Sequence, residues 1–201
     1  MSPNRARSFE NEFTPPAPQR GHYDLDGVEP PSTNSVYFQS GRASPAQTLK
    51  SRISEENKKV IATQLSRLLG DSYFLYLKTQ NFHWNVVGPS FNSLHKLFEH
   101  QYKELAEAID VIAERIRALG YTAPGSFREF TQISSIKEVS DKPSAEQMIR
   151  ILCDDHETVI ASIQETFEKI SEFHDLSTED LLAARSMIHE KNAWILRSLL
   201  A

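Results

Sequence analysis

Seven of the ten prolines in this chain fall before residue 46, at Pro3, Pro15, Pro16, Pro18, Pro30, Pro31 and Pro45. Proline fixes its own φ and lacks the N–H that a helix interior or an inner strand needs, so this crowding works against regular structure there. The same stretch shows no apolar period of 2 or 3.6, and residues 1–48 read as a mostly disordered arm. The core must come from residues 49–201, which are long enough to close one domain.

That remainder reads as four helices. Ser54 followed by Glu55 and Glu56 predicts an N-cap with an acidic first turn, and Ile61, Leu65, Leu68, Leu69, Phe74 and Leu75 follow at helical spacing to about Val86. Gly88-Pro89 breaks the pattern. Ser90 is placed to cap a second helix whose stripe is Phe91, Leu94, Phe98, Leu105, Ile109, Ile112 and Ile116, ending at Gly120. A connection of about two dozen residues follows, long for a helix turn, with a short helix expected around Phe127–Ile133. Ser144 and Gln147 form a capping box before Ile149, Leu152, His156, Ile160, Ile163, Phe167 and Ile170. Ser177 with Asp180 opens the last helix, carrying Leu181, Ile188, Ile195 and Leu199. Short, long and short connections predict an all-α, ferritin-like four-helix bundle with a short helix in its long crossover.

Several classes are excluded by counting. Cys153 is the only cysteine, which removes an intramolecular disulfide framework and a Cys-rich zinc site and favours a reducing compartment. The N-terminal residues lack the apolar core of a secretory signal, and no apolar run approaches the roughly 18–20 residues of a membrane span. A cytoplasmic protein is expected, with nucleoid association as the alternative.

Four potential metal ligands lie on the second helix as two i, i+4 pairs, His95 with Glu99 and Asp110 with Glu114. His83 precedes Pro89 by six residues and His95 follows it by six, so a hairpin brings both imidazoles to one height. Imidazoles with carboxylates suit iron, manganese or zinc. Taking His95 as zero and about 100° per residue, Glu99 lies near 40°, Asp110 near 60° and Glu114 near 100°, all on one side of the helix beside its apolar stripe. Along the axis, His95 and Asp110 are about 22 Å apart at ~1.5 Å per residue, far beyond what one ion spans. An antiparallel copy of the helix closes the gap, setting Asp110 and Glu114 of one chain against His95 and Glu99 of the other in a twofold dimer with two identical sites. Taken one pair at a time, these residues would be ordinary solvated charges. The Glu-x-x-His pairs of bundle di-iron centres are missing, since Gln19, Gln80, Asn92, Leu97, Cys153, Ser171 and Ser186 stand three before the seven histidines.

The run Asn81-Phe-His83-Trp84-Asn85-Val-Val-Gly88-Pro-Ser-Phe91-Asn-Ser-Leu94-His95-Lys-Leu-Phe98-Glu99, followed by Asp110-Val-Ile-Ala-Glu114-Arg115-Ile116, resembles the Dps family of miniferritins. The likeness extends over about residues 50–201, including Trp194-Ile-Leu-Arg197. It implies a hollow homododecamer in which Fe(II) is oxidised at dimer-interface sites, usually by hydrogen peroxide and otherwise by O2, and ferric mineral is stored inside against oxidative damage. The resemblance assigns His83, His95 and Glu99 to one subunit and Asp110 and Glu114 to its twofold mate as catalytic metal ligands.

The family also implies acidic threefold pores near the start of the last helix, where Asp175, Glu179 and Asp180 are the candidates. Glu179 and Asp180 equally suit a helix first turn. Trp84 is a candidate radical trap, or simply a packed aromatic. His156, on the apolar stripe of the third helix, reads as a core histidine. The DNA affinity in the family's name is where this chain departs, because four arginines against five carboxylates leave the arm at −1 and the whole chain at −5. Phosphate contacts need clustered Lys or Arg. Weak or absent DNA binding is expected, a nucleoid DNA-binding protein with secondary metal chemistry being the alternative function. His22, Asp24, Asp26 and Glu29 offer at most an accessory metal site in a solvated arm.

Overall fold

The computed structural model describes residues 52–139 and 141–201. The arm expected over residues 1–48, with its candidate accessory site, lies outside the described residues.

Among the described residues there are five helices, α1 Glu55–Asn85, α2 Phe91–Ala118, α3 Phe127–Ile133, α4 Ala145–Ile170 and α5 Leu176–Ser198, and a 3₁₀ turn at Ser171–Phe173. The start of α1 is fixed as its sequence predicts, with the Ser54 side chain accepting from Asn57 N–H at 3.2 Å. At α4 both halves of the capping box form, between Ser144 and Gln147. Two expected caps differ. Ser90 sits before α2 without a side-chain cap bond, its carbonyl instead accepting from the Ser93 hydroxyl. The last helix starts at Leu176 behind Asp175 instead of at Ser177, because the chain reverses at His174, which takes a left-handed φ of 54°.

Helices α1 and α2 form one antiparallel hairpin and α4 and α5 the other, with α1 against α4 and α2 against α5. The short α3 lies in the crossover against α1. Gly70 makes that approach possible, since a Cβ there would stand 2.9 Å from Ile133 Cγ1. Next to it Asp71 accepts from the Ser134 hydroxyl at 2.9 Å and from Ser135 N–H at 2.6 Å, tying the crossover to the middle of α1.

The core is drawn from all four long helices, with Leu65, Leu69 and Leu75 facing Phe98, Leu105, Ile112, Leu152, Ile163, Leu182 and Leu196. Each such side chain contributes about 1.5–3 kcal/mol of burial. The stripe expected on α5 is corrected. Leu181, Ile188 and Ile195 lie at the flank and Leu199 is exposed, while the inward positions are Thr178, Leu182, Arg185, His189, Ala193 and Leu196. Apolar periodicity misses this face because its centre is polar.

Candidate metal centre

The α1–α2 hairpin is short because Gly88, at φ 114°, turns the chain and its carbonyl accepts from Phe91 N–H at 3.0 Å. His83, in the last turn of α1, and His95, in the second turn of α2, therefore face each other. Their rings stack at 3.8 Å between centroids and 18° between planes. Each then bonds the backbone of the other, His83 Nδ1 to the His95 carbonyl at 2.8 Å and His95 Nδ1 to the His83 carbonyl at 2.9 Å.

A carbonyl can only accept, so both Nδ1 atoms donate and are used up by the backbone, leaving the Nε2 of each ring out of these bonds. Imidazole ligands are commonly oriented this way, through a bond from the nitrogen that does not bind metal. The pair is also packed in place. His83 is only 8% exposed, with Tyr102 edge-on at 5.2 Å, and Phe91 stacks on His95 at 5.1 Å. Phe91 was expected in the core. It stands instead 44% exposed and covers the ligand pair.

Glu99 lies one turn beyond His95, and its carboxylate bonds Lys103 at 2.5 Å. The Lys103 ammonium holds that carboxyl below the ordinary glutamate range, with a smaller contribution from the two imidazoles. The site charge is thus already arranged for an anionic ligand. Sequence reasoning names neither Lys103 nor Tyr102 and gives Phe91 only a core role, although Lys103 at i+4 from Glu99 is a legible helical pair.

Asp110 and Glu114 are exposed farther along α2, about four to five turns beyond His95, and are not brought to the histidines within one chain. Among the described residues, no three of His, Cys, Asp or Glu converge around one point. Trp84 stands 62% exposed beside His83.

The three acidic candidates at the start of α5 separate. Asp175 is 4% exposed and takes both carboxylate oxygens to Arg115 at 2.6 Å, with Thr178 Oγ1 donating to it at 2.6 Å. Burial alone would raise its pKa, but the Arg115 and Thr178 bonds together outweigh burial and hold it below the ordinary aspartate value. Glu179 is half-buried and Asp180 exposed.

Comparison with known proteins places this geometry. The profile of the ferritin-like domain family matches residues 62–201. The chain is 42% identical over 148 residues to an uncharacterized low temperature-induced protein of Nostoc sp. PCC 7120, covering 73% of this chain and 83% of that one. It is 39% identical over 144 residues to DNA protection during starvation protein 2 of Bacillus anthracis, covering 72% of this chain and 98% of the relative. Its fold matches the crystal structure of the Dps protein of Vibrio cholerae with a TM-score of 0.74 at 27% identity, over 79% of this chain and all of the other. That protein is described as a member of a broad superfamily of ferritin-like diiron-carboxylate proteins.

Proposed function

Because the chain belongs to the ferritin-like family and, within it, to the Dps proteins, we propose that it is a ferroxidase that oxidises Fe(II) at sites shared by two subunits and stores the ferric product. The observation that carries this is the reciprocal pair of backbone bonds, which engages both Nδ1 atoms and leaves the Nε2 atoms of two stacked rings for iron.

Iron is the substrate. Two neutral imidazoles and Glu99 would receive it on one chain, and Asp110 and Glu114 of the partner subunit would complete the shell. With hydrogen peroxide, each of two Fe(II) ions gives up one electron, the O–O bond breaks, and two hydroxide ions form with no free radical. Where O2 replaces peroxide, the same residues serve. No protein acid or base need move a proton. Trp84, exposed beside His83, would intercept a hydroxyl radical if only one Fe(II) were present. Iron would enter a hollow dodecamer past Glu179 and Asp180, Asp175 acting from behind to fix the mouth through Arg115.

Protection in this reading comes from removing iron and peroxide. An arm at −1 gives little affinity for a duplex, so residues 1–48 would not serve as a DNA tether, and a cytoplasmic store fits better than a nucleoid protein. A plasmid mobility shift at about 150 mM salt that vanishes on deleting residues 1–48 would reverse that part.

The site is tested by stopped-flow oxidation of Fe(II) with peroxide. His83→Ala and Asp110→Ala should each slow it by at least an order of magnitude while the particle mass stays unchanged. Oxidation at the wild-type rate in either variant removes the assignment.

A further inference from the structure

A second cluster of polar side chains lies away from the interface, in the centre of the bundle. His156 of α4 and His189 of α5 are fully buried, and their Nδ1 atoms are 2.8 Å apart. Arg185, one turn before His189, reaches His189 Nε2 with its Nη2 at 3.0 Å and forms an ion pair with Glu104 of α2.

The proton positions follow in order. A guanidinium can only donate, so His189 Nε2 accepts and its proton sits on Nδ1. His189 Nδ1–H then donates to His156 Nδ1, which leaves the proton of His156 on Nε2. That Nε2–H is buried and has no partner. Burial keeps both rings neutral, so neither carries a second proton that would change this order.

Gln101 of α2 has the matching deficit. It is 1% exposed, and neither its Oε1 nor its Nε2 has a partner. Its height is fixed by the antiparallel pairing of α2 with α5, in which Arg115 meets Thr178 and Glu104 meets Arg185. Moving one turn towards the start of α2 and one turn towards the end of α5 brings Gln101 level with His189 and therefore with His156. As Gln101 and Glu104 are three residues apart, they share a helix face.

We propose that the centre of the bundle is a hydrated polar site, holding one water molecule between the His156 imidazole and the Gln101 carboxamide. The water accepts from His156 Nε2–H and donates to Gln101 Oε1, with capacity left for a further N–H. Polar cavities in protein cores hold such water, whereas apolar ones stay dry. A cation does not fit. Glu104, the carboxylate that reaches the cluster, is taken by Arg185, whose fixed positive charge stands beside His189. The proposal is independent of the iron chemistry at the interface.

Neutron diffraction from deuterated crystals of the full chain tests it directly. The expected map has a D2O within hydrogen-bond distance of both His156 Nε2 and the Gln101 side chain, with deuterium on His156 Nε2 and on His189 Nδ1. An empty space there, or deuterium on His156 Nδ1, overturns it. Thermal melting of Gln101→Leu supplies the second arm, and its sign separates the alternatives. In a hydrated site the variant strands the water and His156, and the melting temperature falls by a few degrees. In a dry site it removes an unsatisfied amide, and the melting temperature holds or rises, which again overturns the proposal. Should that variant not fold, the map of the native chain decides alone.

Discussion

Burial holds His156 neutral, with its pKa pushed down to about 3, and lowers His189 well below the ordinary histidine value; the Arg185 cation acts in the same direction on both, and the His156 ring on His189. The unfolded chain takes up those two protons near pH 6.5, while the fold, whose facing groups are Arg185, Glu104 and Gln101, does not. Stability is therefore whole above about pH 7 and falls as pH drops below 6.5, by up to about 1.4 kcal/mol per pH unit for each histidine. Urea midpoints at pH 7.5, 6.0 and 5.0 should decline in that order, and His156→Phe should reduce the slope. A midpoint independent of pH would contradict neutral burial. At the start of α5, Arg115→Ala leaves the Asp175 carboxylate buried without its cation and should cost about 3 kcal/mol or more. Denaturant unfolding measures this directly, and a loss under about 1 kcal/mol would mean that the pair behaves as a surface bridge.

At the scale of elements, the contact between α1 and α3 is the tightest test of packing. Gly70→Ala should gain about 1 kcal/mol of helix propensity but force Ile133 aside. Overpacking typically costs about 1–3 kcal/mol, so a net loss is expected, and adding Ile133→Ala should restore part of it in a double-mutant cycle. Helices α1 and α4 were legible in the sequence because caps and apolar spacing agree there, as at Ser54 and at Ser144 with Gln147, and α2 was legible from its apolar spacing, since Ser90 makes no side-chain cap bond. Helix α5 was only half legible. Its inward face carries Thr178, Arg185 and His189, which a search for apolar stripes passes over, and its start follows the left-handed turn at His174, with Asp175 bonded to Arg115, sixty residues away. The ligand pair was legible as spacing about the Gly88-Pro89 break. The exchange of backbone bonds that orients it was not, since it depends on how closely two helix ends approach.

The whole molecule is the scale on which the proposed iron site must be judged, because among the described residues one chain gathers no three of its proposed ligands around a point. If His83 and Asp110 of one site come from different subunits, mixing two inactive variants should restore activity. In a particle assembled from equal His83→Ala and Asp110→Ala chains, each mixed dimer has one intact site and one doubly damaged site. Random pairing then returns roughly a quarter of the native sites in an isologous dimer. Rate per particle in stopped-flow measurements should recover to about that fraction, while a site confined to one chain would show no recovery. The exchange of bonds between His83 and His95 carries a separate consequence for folding. The two rings act as a clasp at the closed end of the first hairpin, each fastened to the backbone of the other's helix. That end of the hairpin is therefore held by the polypeptide's own bonds, and in the proposed site both imidazoles stay aimed whether it is filled or empty.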